Sequence, residues 1–163
     1  MKISTILRSL LIIIVGIPAM ANAQTKWMNP TDANEPYICG RAWNKEMGKS
    51  YNRLPQRFKA TVSGRVWGNS TMTAGLTVRF VTTSPNIAVK YVCTSQSYGT
   101  FNLSGMVHSG VDLYGKAADG KMHWIGNHMR WSMKGDTITI SFPKLSVPAN
   151  RRTEYTLYLP NYN

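Results

Sequence analysis

Acidic residues are scarce in this sequence, which has seven Asp and Glu against 19 Lys and Arg in 163 residues. Two of the basic residues lie in the first 23 positions, so residues 24–163 hold 17 basic and seven acidic side chains, a formal charge of +10. This surplus favours anionic partners such as acidic glycans or lipopolysaccharide. The basic residues are scattered and form no nucleic-acid-binding motif, so we do not expect nucleic acid as a partner.

Cysteine is also rare, since Cys39 and Cys93 are the only two in the chain. The protein can therefore form at most one internal disulfide, which in an oxidising compartment would stabilise the fold by about 2–4 kcal/mol. Two buried free thiols are an equally good interpretation of the same pair. The sequence leaves both states open.

Long apolar runs are missing as well, and the one short run, Leu10 to Ile17, lies near the N-terminus. Its flanks, with Lys2 and Arg8 before it and Ala21-Asn22-Ala23 after it, are typical of a secretory signal peptide. The run is too short for a comfortable bilayer span, and no cysteine follows the expected cleavage point as a lipid anchor would require. We predict a cleaved signal peptide at residues 1–23 and one exported domain, periplasmic or extracellular, at residues 24–163, with no membrane span after cleavage.

A helical period is absent after residue 24, whereas alternation of apolar and polar residues recurs between turn residues. The alternating apolar positions are Leu76, Val78 and Phe80; Ile87, Val89 and Tyr91; Met122 and Trp124; Met129, Trp131 and Met133; Ile138, Ile140 and Phe142; and Tyr155, Leu157 and Leu159. This pattern predicts an all-β domain, a two-sheet antiparallel β-sandwich of the jelly-roll-like kind, with these side chains in the core.

One short strand, Gly110-Val111-Asp112-Leu113-Tyr114, separates apolar and polar residues most clearly. Val111 and Leu113 can face a core while Asp112 and Tyr114 share the opposite face. The Ser109-Gly110 pair predicts a turn that leads into this strand.

The pentapeptide resembles the GxDLY signature of the domain found N-terminal to SGNH-type esterases, and further blocks agree with that family in sequence order. They are Tyr51-Asn52-Arg53-Leu54-Pro55 for the RLP block, Arg65-Val66-Trp67 for a VW strand, Thr73 to Phe80 for an SAGLxVRF strand with Thr73 in place of Ser, Ile87, Val89 and Tyr91, and Tyr155 to Pro160 for a closing YxLYLP strand. The resemblance covers about Trp43 to Asn163. It implies a β-sandwich that precedes an α/β hydrolase domain, and we expect that catalytic domain to be absent because the chain ends at Asn163.

An SGNH hydrolase needs a Gly-Asp-Ser nucleophile block and a late Asp-x-x-His base, as the resemblance implies. The sequence contains neither Gly-Asp-Ser nor a Gly-x-Ser-x-Gly elbow. His108, His123 and His128 lack the spacing of a recognised metal or acid–base site, so we favour ordinary hydrogen-bonded histidines. We expect no catalytic residue, no metal and no cofactor.

Asp112 is one of few acidic residues in a basic chain, and we predict first that it forms a structural ion pair with Arg53 or Arg79. The second interpretation of Asp112 is contact with a ligand. Gly110 and Tyr114 are the other motif residues to which we assign a structural role. Trp124 and Trp131 carry the apolar strand pattern, and these two and Trp67 are predicted to lie in the core. Trp43 has polar neighbours and is the candidate for an exposed glycan contact.

These observations lead to one functional expectation and two alternatives. We expect a non-catalytic N-terminal accessory module of a secreted, carbohydrate-directed SGNH-type esterase, supporting the hydrolase domain and its substrate cleft. A free-standing secreted glycan-binding β-sandwich is the first alternative. An intact small enzyme with a serine nucleophile is the second.

Overall fold

A computed structural model describes residues 25–32, 37–92, 101–130, 134–146 and 151–162. The seven strands of this part are β1 (Ile38–Cys39), β2 (Thr77–Thr82), β3 (Ile87–Val92), β4 (Val111–Lys116), β5 (Met122–His128), β6 (Thr137–Phe142) and β7 (Thr153–Tyr158). The helices are α1 (Gly64–Ser70) and α2 (Gly105–Ser109), with short 3₁₀ turns at Asn44–Glu46 and Gln56–Phe58. The predicted signal peptide lies outside the described residues, and no described helix has the length and apolar character of a membrane span.

The strands form a five-stranded antiparallel sheet in the order β1-β2-β7-β4-β5 and a two-stranded antiparallel sheet of β3 and β6. Both sheets contribute to one hydrophobic core. Its buried members are Ile38, Leu76, Val78, Ile87, Val111, Leu113, Ile138, Ile140, Phe142, Tyr155 and Leu157. The mostly β architecture predicted from the alternating pattern is therefore confirmed.

Alternation along β6 and β7 sets the two faces of each sheet. Ile138, Ile140 and Phe142 are buried on β6 while residues 137, 139 and 141 are more exposed, because successive side chains in a strand point to opposite faces. In the five-stranded sheet, Val78, Leu157 and Leu113 lie in one cross-strand row that faces the core. We call the other side of this sheet the outer face.

The prediction of an all-β chain without helices is wrong at two places. Arg65-Val66-Trp67, expected as a strand, lies in α1, where the Ser63 hydroxyl accepts a hydrogen bond from the Val66 amide at 3.3 Å and caps the helix. Seven residues are too few for a 3.6-residue period to appear in the sequence. In the same way, the Ser109-Gly110 turn is the end of α2, which begins after Ser104.

The prediction that Met122 and Trp124 face the core is also wrong, since they are 38% and 60% exposed. A β-bulge explains the error. The register between β4 and β5 shifts after Leu113, so that Leu113 pairs with Gly126 but Tyr114 pairs with Trp124, leaving one extra residue on β5. A bulge reverses which face the following residues occupy. Trp124 and Met122 consequently lie on the outer face. Trp131 and Met133 fall outside the described residues.

Candidate functional site

The Gly-x-Asp-Leu-Tyr segment contributes to both sides of the five-stranded sheet. Val111 and Leu113 are 0% exposed in the core, whereas Asp112 and Tyr114 are partly exposed on the outer face. This is the division that the alternation predicted. The same strand therefore anchors the core and presents two polar side chains on the outer face.

Glycine is required at position 110 because a side chain there would collide with neighbouring atoms. A Cβ atom at this position would lie 2.4 Å from the Met106 carbonyl oxygen and 3.2 Å from Asn127 Oδ1. The Gly110 amide donates to the same Met106 oxygen at 3.0 Å, which closes α2 directly against the start of β4. Its backbone angles, φ −81° and ψ 160°, are open to any residue. Close approach, and not a left-handed conformation, is the reason for glycine here.

The predicted ion pair of Asp112 with Arg53 or Arg79 is wrong for the described residues. Asp112 Oδ1 instead accepts a hydrogen bond from Trp124 Nε1 at 3.3 Å. Arg79 pairs with Thr156 across β2 and β7, so β7 lies between it and β4, a separation of two strand spacings or about 9–10 Å.

Arg53 is held elsewhere. Its Nη2 donates to the Asn69 carbonyl oxygen at 2.6 Å, and its amide donates to the Ser70 carbonyl oxygen at 2.7 Å. The RLP block is thus fastened to the end of α1. The side chain of Arg53 makes this contact, and among the described residues it forms no ion pair with Asp112.

Three aromatic side chains lie together on the outer face. Trp124 is 60% exposed and Tyr158 is 44% exposed, while Tyr114 lies between them and is half-buried. The rings of Tyr114 and Tyr158 meet edge to face, with centroids 5.4 Å apart. Tyr114 pairs with Trp124 across β4 and β5, and Tyr158 pairs with Asp112 across β7 and β4. We call these three rings and Asp112 the aromatic patch.

An open cleft of about 320 Å³ adjoins the aromatic patch. Its lining residues are Gly75, Met106, Val107, Gly110, Asp112, Tyr114, Asn127, Tyr158, Leu159 and Asn161. The motif positions Gly110, Asp112 and Tyr114 thus meet in one concave surface that also includes the last part of the described chain. Both polar and apolar side chains line it, a mixture that also occurs in small-ligand sites.

The end of the chain is tied to α2 beside this cleft. Asn161 Nδ2 donates to the Val107 carbonyl oxygen at 2.7 Å, and the Tyr162 amide donates to the His108 carbonyl oxygen at 3.1 Å. The Tyr162 ring stacks on the His108 ring with centroids 4.9 Å apart. Residues 161 and 162 therefore leave the sheet along one wall of the cleft.

A serine and an imidazole do come together, at His108 and Ser109. His108 Nδ1 lies 2.8 Å from Ser109 Oγ. Ser109 is 1% exposed and His108 is 4% exposed, so no substrate carbonyl can reach the hydroxyl in this conformation. The pair is a local polar contact at the end of α2, and it lacks the exposed nucleophile that covalent catalysis requires.

Burial lowers the pKa of His108 below its ordinary value. The unfolded chain then takes up a proton near pH 6.5 while the folded protein takes it up only at lower pH. We expect the free energy of unfolding to decrease as the pH falls below about 6.5, down to the folded-state pKa. Denaturant unfolding across this interval measures it, and His108→Gln should flatten this part of the profile.

Val81, which is 49% exposed on β2, provides the control, since Val81→Ala removes no titrating group and should leave that slope in place. An NMR titration gives an independent answer in the unsubstituted protein. A His108 pKa at or above that of an unstructured histidine would contradict the prediction.

The remaining candidate residues lie away from the cleft. Trp43 is 43% exposed, its ring lies 5.1 Å from that of Phe58, and the Arg57 guanidinium lies 5.5 Å from its centroid. Its role as a glycan contact stays a prediction. Cys39 is half-buried on β1, and because Cys93 lies outside the described residues, the disulfide stays a prediction too.

The fold and the cleft define a mostly β domain organised around a Gly-x-Asp-Leu-Tyr strand. The chain belongs to the family of GxDLY domains that form the N-terminus of SGNH hydrolase-type esterases. The family match extends over residues 25–163. A crystal structure of a protein named as a GDSL-like lipase from Bacteroides ovatus is similar, with a TM-score of 0.62 and 28% identity. The similarity covers 76% of this chain and 34% of that one, so the chain spans about a third of the length of this relative. No curated protein matches the chain.

Sequence reasoning missed Trp124, Tyr158, Asn127 and Asn161 as neighbours of the motif. Tyr158 had a usable signal, because it alternates with the core positions Tyr155 and Leu157 and so belongs on the outer face. Trp124 had none, since the bulge that exposes it is a property of the pairing between two strands.

Proposed function

We propose that this chain is the non-catalytic N-terminal β-sandwich module of an exported SGNH-type esterase that acts on a carbohydrate ester. The module supports the hydrolase domain and helps to shape its substrate cleft, and the ester bond is broken by the hydrolase domain. Family membership supports the link to an esterase, and the signal-like pattern of residues 1–23 supports export. The basic surface of residues 24–163 suits contact with glycans or other anionic cell-surface polymers.

One observation carries the proposal. The motif residues Gly110, Asp112 and Tyr114 line an open cleft together with Leu159 and Asn161, near the end of the described chain. A hydrolase domain joined after this point would begin beside that cleft. The cleft can then become part of the wall of a larger substrate site, which is common where two domains meet.

A domain exchange tests the accessory role. The hydrolase region of the Bacteroides ovatus protein is prepared alone, with its own N-terminal region and with residues 25–163 in place of that region. We expect all three to hydrolyse 4-nitrophenyl acetate equally, because this small ester needs only the catalytic residues. Release of acetate from an acetylated polysaccharide should fall about tenfold in the hydrolase region alone and recover with either module.

Two outcomes would contradict the accessory role. Equal activity of all three proteins on the polysaccharide would remove the contribution of the module. Turnover of 4-nitrophenyl acetate by residues 25–163 alone, abolished by Ser109→Ala, would show instead that the chain is an enzyme in its own right.

A free-standing glycan-binding protein is the second candidate, and the exposed Trp124 and Tyr158 rings favour it. The two candidates differ in what they need for activity on glycans. A free-standing binder retains a glycan with full strength in the absence of any hydrolase, whereas a supporting module contributes mainly when joined to one.

A further inference from the structure

The aromatic patch has the shape of a platform. Trp124, Tyr114 and Tyr158 lie on the three neighbouring strands β5, β4 and β7, whose spacing is about 4.8 Å. Trp124 and Tyr158 keep 60% and 44% of their surface exposed, in a chain whose core already buries Tyr155 to 2%. Rings left outside the core on adjacent strands offer flat apolar surface to a ligand that lies across the sheet.

Asp112 holds the platform in position. Its Oδ1 accepts the indole N–H of Trp124, which restrains the ring of an otherwise exposed side chain on an edge strand. Preorganised rings bind better because less side-chain freedom is lost when the ligand arrives. Asp112 Oδ2 has no hydrogen-bond partner among the residues that the structure describes. It is an acceptor placed directly beside the rings.

Further hydrogen-bonding groups line the adjoining cleft. Asn161 uses Nδ2 to hold α2, which leaves its amide oxygen as an acceptor. Asn127 Oδ1 is buried in the wall without a donor among the described residues, a costly state for a polar atom. Acceptors of this kind suit a ligand that carries many O–H donors.

We infer that the aromatic patch and its cleft form a binding site for a neutral sugar chain, with Trp124 and Tyr158 stacking on pyranose faces and Asp112 accepting hydroxyl hydrogen bonds. The inference deepens the proposed function, on whose carbohydrate-directed part it rests, by naming the ligand class and its site. It places the glycan contact at Trp124 instead of Trp43.

The charge of the patch decides between ligand classes. The Asp112 carboxylate beside the rings disfavours an anionic polymer at this point, although the protein as a whole is basic. A protein partner would have to bury the same carboxylate in the middle of an interface, where charged groups are depleted and unpaired charge is costly. Sugar hydroxyls satisfy the carboxylate and leave it near water. A neutral sugar chain therefore fits better than either.

Affinity electrophoresis and calorimetry with residues 24–163 test the site. The probes are soluble neutral polysaccharides (xylan, mannan, galactan and glucan) and two anionic ones (polygalacturonate and alginate), each at low and high salt. We expect at least one neutral polymer to bind with an affinity that salt changes little. Trp124→Ala should weaken this binding about tenfold or more, as truncation of a central aromatic contact does, and Tyr158→Ala should weaken it as well.

Trp27→Ala is the matched control. Trp27 is 46% exposed, and its ring lies 4.1 Å from Lys90 Nζ on β3 of the two-stranded sheet, away from the patch. This variant should bind like the unsubstituted protein. Melting temperatures of all variants test whether each is folded. Because Trp124 is largely exposed, we expect Trp124→Ala to remain folded.

Three results would overturn the inference. The first is binding to none of the neutral polymers. The second is binding only to anionic polymers and only at low salt, which the general basic surface explains. The third is loss of binding in Trp43→Ala with Trp124→Ala unaffected. The domain exchange has a different readout, because it measures the release of acetate by the hydrolase domain. The glycan site can therefore be disproved while the accessory role stands, and the accessory role can be disproved while the glycan site stands.

Discussion

Truncation of Leu113 to alanine is expected to lower the free energy of unfolding by about 2–5 kcal/mol. Leu113 is 0% exposed and belongs to the core that both sheets share. It pairs with Leu157 on one side and Gly126 on the other, at the point where the bulge begins. Loss of its side chain removes apolar burial and leaves a cavity that close-packed strands cannot fill. Urea unfolding monitored by circular dichroism measures the change.

Val81→Ala is the comparison for Leu113→Ala. Val81 lies on β2 of the same sheet but is 49% exposed, so its truncation should change stability by no more than about 0.5 kcal/mol. If Leu113→Ala cost no more than Val81→Ala, the motif strand would not be part of the core as the structure has it.

Gly110→Ala is the second substitution with a large expected effect, a destabilisation of about 1–3 kcal/mol. The added Cβ would lie 2.4 Å from the Met106 carbonyl oxygen, a backbone atom. That oxygen also accepts the Gly110 amide hydrogen bond at 3.0 Å, so α2 cannot move away without losing this hydrogen bond. Asn127, 3.2 Å from the same Cβ, would have to shift as well and would disturb the cleft.

Gly68→Ala is the matched control for Gly110→Ala. Gly68 lies inside α1, and a Cβ there meets no atom within 4 Å. Alanine should raise stability by about 0.5–1 kcal/mol, because glycine loses more backbone freedom in a helix. Equal effects of the two substitutions would show that crowding at Gly110 is not the reason for glycine in the motif.

Much of the fold was predictable because strand alternation is a local property. Ile138, Ile140 and Phe142 on β6, and Tyr155 and Leu157 on β7, lie in the core as their spacing indicated. The two faces of the motif strand followed from the same rule. The short helix α1 did not, because seven residues held by one capping serine carry too little period to be read.

The candidate site was less predictable, because it depends on which strands become neighbours. The sequence predicts an ion pair between Asp112 and Arg79, yet β7 lies between β2 and β4. It also predicts Trp124 in the core, whereas the bulge after Leu113 places Trp124 on the outer face. Both facts concern pairing between segments distant in sequence, and one chain read alone does not specify that pairing.

The sequence by itself determined the mostly β class, the inward positions of each regular strand and the family, because these depend on local alternation and on blocks of neighbouring residues. Only the tertiary structure decided the partner of Asp112, the exposure of Trp124 and the meeting of Gly110, Tyr114 and Asn161 at one cleft. The physical reason is that strand order and a single-residue bulge set which side chains share a face, and both arise from long-range hydrogen bonding between strands.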